Sequence, residues 1–384
     1  MARQASTQRR RPGVDKASLL LVLVGCGCDR ATDSASPKAS AGPSAPASSS
    51  AATPAPSTAA AALALAPIEN GVVVVRATSQ GLELRRHDAG GKLLGGATVI
   101  PRPEPVRDVA AAAVGQRLGV AYVEGKGATG EARALIASTR GTGVTADYAL
   151  GATSLPPRPS GGLVTLRAED GELLAFRSGK REACADDPAL QCTHFEVQAL
   201  GDERPEPRRT PLLVPMTCAH GLAAFSATEG QWLYGVCSEK KGRPETTLFR
   251  IQFSPRYAAA QPVFPGCSPR GSAVVDGGVV VVADCPDGPR AVRSQGATLP
   301  LLETDWRSAA LECERGAPAL VAFGARTPLS KIDGDLSALL PDKWAADGAR
   351  AVYTGVALLI ARSTTAADAL ERFECRAGQL ARAE

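Results

Sequence analysis

After about residue 61 the chain is built from short apolar runs that come in pairs. Each pair is joined by a few polar residues that include a glycine. The motif reads ALALAPIENGVVVVRA from Ala62, VAAAAVGQRLGVAYVE from Val109 and LVTLRAEDGELLAFRS from Leu163. It returns as LAAFSATEGQWLYGVC from Leu222, GSAVVDGGVVVVADC from Gly271 and ARAVYTGVALLIARS from Ala349. A weaker copy, AALECERGAPALVAFG, starts at Ala309. Glu-Asn-Gly, Glu-Asp-Gly and Val-Asp-Gly-Gly supply the positive φ angles of tight hairpins. The turn glycines are Gly71, Gly115, Gly171, Gly230, Gly277, Gly316 and Gly355. Runs such as 279–283 are apolar at every position, as strands covered on both faces would be.

The spacing of these hairpins suggests an architecture. A propeller blade is four antiparallel strands in roughly 40 to 50 residues. The hairpins recur about 30 to 60 residues apart, so the expected fold is all-β: a β-propeller of about seven blades of four-stranded antiparallel sheet. Outer strands are expected at 82–87, 132–138, 194–199, 246–253 and 370–375. The alternative is a pair of β-sandwiches, which also show frequent hairpins. The best helical candidate is STTAADALERF, from Ser363. No repeated Trp-Asp dipeptide, kelch Gly-Gly pattern or sialidase-type Asp box marks the repeats. In architecture the chain resembles the propeller lipoproteins and periplasmic propellers of bacterial envelopes.

The N-terminus has a different pattern. Arg3, Arg9, Arg10, Arg11 and Lys16, opposed only by Asp15, precede an apolar run at 19–24. A basic segment followed by a short apolar one is the layout of a secretory signal. The run is far shorter than the roughly 18 to 20 residues needed to span a bilayer. Leu23-Val24-Gly25-Cys26 resembles the lipobox of bacterial lipoproteins. The resemblance implies cleavage before Cys26, a diacylglyceryl group on its thiol and an acylated new N-terminus. One acyl chain holds a protein to a membrane only marginally, whereas two or three hold it stably. Gly27 rather than Asp follows Cys26, which by resemblance to the enteric sorting rule favours the outer membrane. Residues 1–25 are thus expected to be a lipoprotein signal peptide.

Residues 26–60 are Ala-, Ser- and Pro-rich, without an aromatic residue or apolar periodicity. Such a segment cannot bury enough surface to offset chain entropy and reads as a disordered tether. Residues 61–384 are the propeller-like domain.

Charge changes the picture once. The formal net charge is +4, but residues 1–25 carry five basic groups and one acid. The remaining chain is neutral and has no net field to attract nucleic acid. Aromatic residues are only 4% of the chain, so Val, Leu and Ala must build the core.

Eight cysteines follow the tether. An even set in an exported chain reads as disulfides. Cys218 and Cys237 flank one hairpin, and Cys267 and Cys285 flank the next, so each pair is expected to be bonded. Cys184 and Cys192 bracket a Pro-containing excursion and form a local staple. Cys313 and Cys375 remain as the fourth pair. The Cys192-Thr-His194 and Cys218-Ala-His220 spacings are not those of a zinc site, and no metal or other cofactor is expected.

Candidate chemistry is sparse. The histidines are His87, His194 and His220, and no nucleophile elbow, His-Glu-x-x-His or phosphate loop is present. Asp333-Gly-Asp335 lacks the later ligands of a calcium loop. Tyr122, Tyr234 and Tyr353 lie on core hairpins and read first as packing residues. No catalytic residue is assigned. The expected function is therefore a lipid-anchored cell-envelope protein with a non-enzymatic binding or scaffold role, its partners the membrane and an envelope protein or glycan. The alternative is a propeller hydrolase or lyase acting on extracellular glycans.

Overall fold

A computed structural model describes residues 62–383 apart from short internal stretches, the longest being 239–246. Between 205 and 266 it describes the path of the strands alone. The described residues belong to one compact unit, and their strands form seven separate sheets.

The first blade is β1 (Leu63–Ile68), β2 (Gly71–Thr78), β3 (Gly81–Asp88) and β4 (Thr98–Pro101). The second is β5 (Val106–Val114), β6 (Arg117–Glu124), β7 (Thr129–Ser138) and β8 (Val144–Ser154). The third is β9 (Val164–Glu169), β10 (Glu172–Ala183), β11 (Gln191–Leu200) and β12 (Pro205–Pro207), with β13 (Leu212–Val214) also on β11. The fourth is β14 (Thr217–Ala227), β15 (Gly230–Ser238), β16 (Thr247–Phe253) and β17 (Ala258–Pro265). The fifth is β18 (Ser268–Val275), β19 (Gly278–Cys285), β20 (Gly288–Ser294) and β21 (Leu302–Asp305). The sixth is β22 (Ala310–Glu314), β23 (Ala317–Ala322) and β24 (Ala325–Pro328), after which β25 (Ile332–Asp333) crosses to pair with β18. The seventh is β26 (Arg350–Tyr353), β27 (Leu358–Ala361), β28 (Leu370–Arg376) and β29 (Gln379–Arg382). Strands β1, β5, β9, β14 and β18 pack each on the next, and β26 packs on β1. This is a β-propeller, and the two-sandwich alternative does not hold.

Strand periodicity explains why the inner hairpins are apolar at every position. Alternate residues of a strand face opposite sides of the sheet. Val73 and Val75 enter the core shared with blade 2, while Val72 and Val74 enter the core shared with blade 7. In β6, Leu118, Val120 and Tyr122 face blade 1, and Ala121 and Val123 face blade 3. A blade thus has no solvent face near the axis, and a polar residue there needs a partner.

Arginines provide many of those partners. Arg86 donates to the Arg140 carbonyl at 2.5 Å, Arg117 to that of Leu200 at 2.7 Å, and Arg177 to that of Ala152 at 2.9 Å. Arg350 donates to the Leu63 carbonyl at 3.0 Å and Arg76 to that of Arg362 at 3.3 Å. Each bond crosses from one blade to its neighbour. The last two join blade 7 to blade 1. Among the described residues no strand is shared across that junction, and side chains and their shared core join the two blades there.

Two features differ from the sequence expectation. The five predicted outer strands are third strands. The true fourth strands lie one strand further out, and some, such as β4 and β29, are only four residues long and are revealed only by a hydrogen-bonded partner. The weak repeat at Ala309 also sits elsewhere in its blade. Strand β22 packs against β29 and β23 against β28, so blade 6 runs from the rim inward. The inner position is filled instead by a 3-10 turn, Leu336–Leu339, which is wholly buried and contacts β18 and β26. The reason lies in composition: all five residues of β22 are half-buried, and Leu-Glu-Cys-Glu cannot be covered on both faces. Of the helical candidate, 364–369 lies outside the described residues, and Leu370 onward is strand β28.

Among the described residues three disulfides are present. Cys184 bonds Cys192, Cys267 bonds Cys285, and Cys313 of β22 bonds Cys375 of β28. Strands β14 and β15 place Cys218 directly opposite Cys237, but their side chains lie outside the described residues.

His87 is fully buried on β3, opposite Val72 and so facing blade 7. Its Nδ1 is 3.0 Å from the Gly91 carbonyl oxygen, and its Nε2 is buried without a hydrogen-bond partner among the described residues. Burial, outweighing the Gly91 bond, holds its pKa below the ordinary value; Arg85 lowers it further and Asp88 opposes. The neutral ring is therefore the folded form. Its contribution is fully present above the unfolded pKa of about 6.5 and is lost as pH falls through the depressed folded value. Thermal melts should show Tm dropping over that acid window, and His87→Gln should flatten that part of the profile.

Candidate functional site

The densest group of ionisable side chains among the described residues lies on the blade 2 face that looks toward blade 1. Tyr122 and Glu124 come from β6, Glu131 and Arg133 from β7, and Asp147 from β8. Arg102 follows β4 of the adjoining blade. Glu124 lies opposite Glu131 and Val106, so the group sits at the end of the ring where the chain passes from β4 to β5. A register shift between Ala132 and Arg133 accompanies the turn of Arg133 toward Tyr122.

Arg133 is the hub. It donates to Glu131 at 2.9 Å, to Asp147 at 3.1 Å and to the Tyr122 hydroxyl at 3.2 Å. Its Nε is 3.7 Å from Glu124 Oε1. Arg102 reaches the second Asp147 oxygen at 2.6 Å and lies over the Tyr122 ring at 4.8 Å, a cation–π contact. The Tyr122 hydroxyl donates to Asp147 Oδ1 at 3.3 Å. Tyr122 is fully buried, so its ring fills the blade interface while its hydroxyl joins the polar group.

The two carboxyls with resolved shifts are driven apart. Burial raises the pKa of Glu124, and Arg133 and Arg102 only partly offset that. Its side chain is 9% exposed, and Oε2 has no hydrogen-bond partner among the described residues. Burial also acts upward on Asp147, but the hydrogen bonds and charges of Arg102 and Arg133 outweigh it and the pKa falls. Asp147 is the more open of the two, at 29%. Burial raises the Tyr122 pKa and keeps the phenol protonated. For Arg133, burial is outweighed by the bonds to Glu131, Tyr122 and Asp147, and its pKa rises. The environments of Glu124 and Asp147 thus shift their pKa values in opposite directions.

The residues singled out from sequence stand elsewhere. Tyr122 alone is part of this group. His87 is in the seam between blades 1 and 7. His194 pairs with Glu182 on blade 3, at 2.6 Å. The Tyr353 hydroxyl donates to the Gly355 carbonyl at 3.1 Å. The side chains of His220, Tyr234 and Asp333, and all of Asp335, lie outside the described residues. Sequence inspection missed Arg102, Glu124, Glu131, Arg133 and Asp147 because they are scattered over four elements. The available signal was Arg133 itself, a charge between Ala132 and Ala134 at the head of the apolar stretch of β7.

The fold is a β-propeller, and its second blade carries a cluster of carboxylates and guanidiniums. No known family model and no curated protein sequence matches the chain. Solved structures do. An α-L-arabinanase of Penicillium chrysogenum is 12% identical, with a TM-score of 0.42 over 64% of this chain and 80% of that one. Polysaccharide lyase Uly1 is 8% identical, with a TM-score of 0.41 over 70% of this chain and 75% of that one. A Bacteroides uniformis protein provisionally named a 6-phosphogluconolactonase is 13% identical, with a TM-score of 0.44 over 79% and 91%. Identities this low speak to the fold alone. The expectation of a non-enzymatic binding or scaffold role is corrected at this point. The solved structures similar in fold include proteins named as glycan-cleaving enzymes, and blade 2 gathers a cluster of ionisable side chains that a search for contiguous motifs passed over.

Proposed function

We propose that the protein is a lipid-anchored propeller hydrolase that cleaves extracellular glycans. The observation that carries this reading is the divergent pair Glu124 and Asp147 around Arg133. Glu124, whose pKa burial raises, donates its proton to the glycosidic oxygen as the bond to the sugar carbon breaks. Asp147, kept ionised by two guanidiniums, faces the positive charge that develops at that carbon. A water then bonds to the carbon and returns a proton to the Glu124 carboxylate. Tyr122 holds Asp147 in place. A lyase would instead need a base for the proton beside a uronate carboxyl. A phenol with a raised pKa does not fit that role.

The test is digestion by the full-length protein of arabinan, galactan, xylan and polygalacturonate, read as new reducing ends. Activity should fall on the alkaline side as Glu124 ionises above the ordinary glutamate range, and on the acid side as Asp147 protonates below the ordinary aspartate range.

The anchor belongs to the same proposal. The lipobox-like Leu23-Val24-Gly25-Cys26 and the following tether support an outer-membrane attachment from which the propeller reaches surrounding polymers. Cys26→Ala should move the protein from the membrane pellet to the soluble fraction. Retention in the pellet would sink the anchor.

A further inference from the structure

The β10–β11 hairpin outgrows its blade. Arg177 is the last β10 residue paired with β9, yet β10 continues against β11 to Ala183. At about 3.3 Å per residue the extension reaches roughly 15 to 20 Å past the inner strand. The Cys184–Cys192 bridge joins the far ends of its two strands. Just below, His194 Nε2 and Glu182 Oε1 are 2.6 Å apart, with side chains 29% and 57% exposed.

Chain direction fixes where the tip points. Leu163 and Val164, at the start of β9, donate to Asp108 near the start of β5, at 2.6 Å and 3.1 Å. Glu124 is opposite Val106 at that same end. The hairpin and the acid–base group therefore rise from one end of the ring, on neighbouring blades. Blade 5 is stapled at that end too, since Cys267 precedes β18 and Cys285 closes β19.

We propose that the β10–β11 hairpin is an extended-chain subsite, in which Glu182 and His194 hydrogen-bond hydroxyls of sugars distant from the bond being cut. A carboxylate and an imidazole accept and donate to paired hydroxyls, and a bridged hairpin needs no ordering when the chain arrives. Arg177 supports the hairpin from below: it binds Glu196 at 2.6 Å and the Ala152 carbonyl of blade 2. The inference rests on the hydrolase reading and adds the substrate's form: a linear polymer rather than a terminal disaccharide.

The probe is a length series, disaccharide to octasaccharide, from arabinan, galactan and xylan, cleaved by the full-length protein. In the wild type KM should fall as the chain lengthens. In Glu182→Gln and in His194→Ala the KM advantage of the octasaccharide over the disaccharide should shrink about fivefold, as expected for one lost hydrogen bond, with kcat retained. The double variant Cys184→Ser, Cys192→Ser should do the same by loosening the hairpin. Length-independent KM in the wild type, or an unaltered advantage in these variants, overturns the subsite while leaving the hydrolase reading standing. No cleavage of any chain overturns both.

Discussion

Glu124→Gln lowers kcat on a cleaved glycan by at least about a hundredfold, the usual loss when a general acid is removed. Gln keeps the shape of the side chain and cannot supply the proton. The fold should be untouched, because the substitution removes a carboxyl that burial already disfavours in its charged form. A melt beside the rate assay separates the two effects: unchanged Tm with lost turnover is the expected pair. Asp147→Asn should behave differently. It also lowers turnover, but it leaves Arg102 and Arg133 facing a neutral amide and so lowers Tm as well.

Removing the Cys313–Cys375 bridge should have the largest effect on stability. The two residues are 62 apart in sequence, and in the chain-entropy model a loop of that length contributes about 4 kcal/mol. The Cys184–Cys192 loop, with a separation of 8, contributes about 2.5 kcal/mol on the same model. Location adds to the difference. The longer bridge ties β22, a half-buried strand of the three-stranded sixth blade, to β28 of the blade that closes the ring. Cys313→Ser with Cys375→Ser should therefore cost several degrees of Tm and more than the Cys184, Cys192 pair does. Equal losses would mean that blade 6 is held mainly by its core, which includes Trp306, Leu320 and Leu329.

These results bear on what the sequence could reveal. Inner hairpins such as β1–β2 are legible, because their strands are covered on both sides and carry apolar residues at consecutive positions, as in Val72–Val75. The fourth strands are not legible. A strand such as β4, exposed at Val99 and Pro101, has only its neighbour's hydrogen bonds to define it. The inward course of blade 6 is likewise invisible, since it depends on the buried turn at Leu336–Leu339 filling a place that β22 cannot.

The candidate site was hidden for a related reason. A propeller brings together side chains from different strands and blades, so Arg102 and Asp147 meet across 45 positions of sequence with no motif between them. Tyr122 was legible as a core residue but not as part of a polar group. Its ring belongs to the blade interface, and only the structure shows where its hydroxyl ends.

The most direct test of the central claim is the appearance of new reducing ends when the full-length protein is incubated with the four polysaccharides, alongside Glu124→Gln. The account predicts cleavage of at least one polymer without unsaturated products, abolished in the variant. Cleavage that survives Glu124→Gln, products bearing the double bond of an elimination, or no cleavage of any glycan would contradict it.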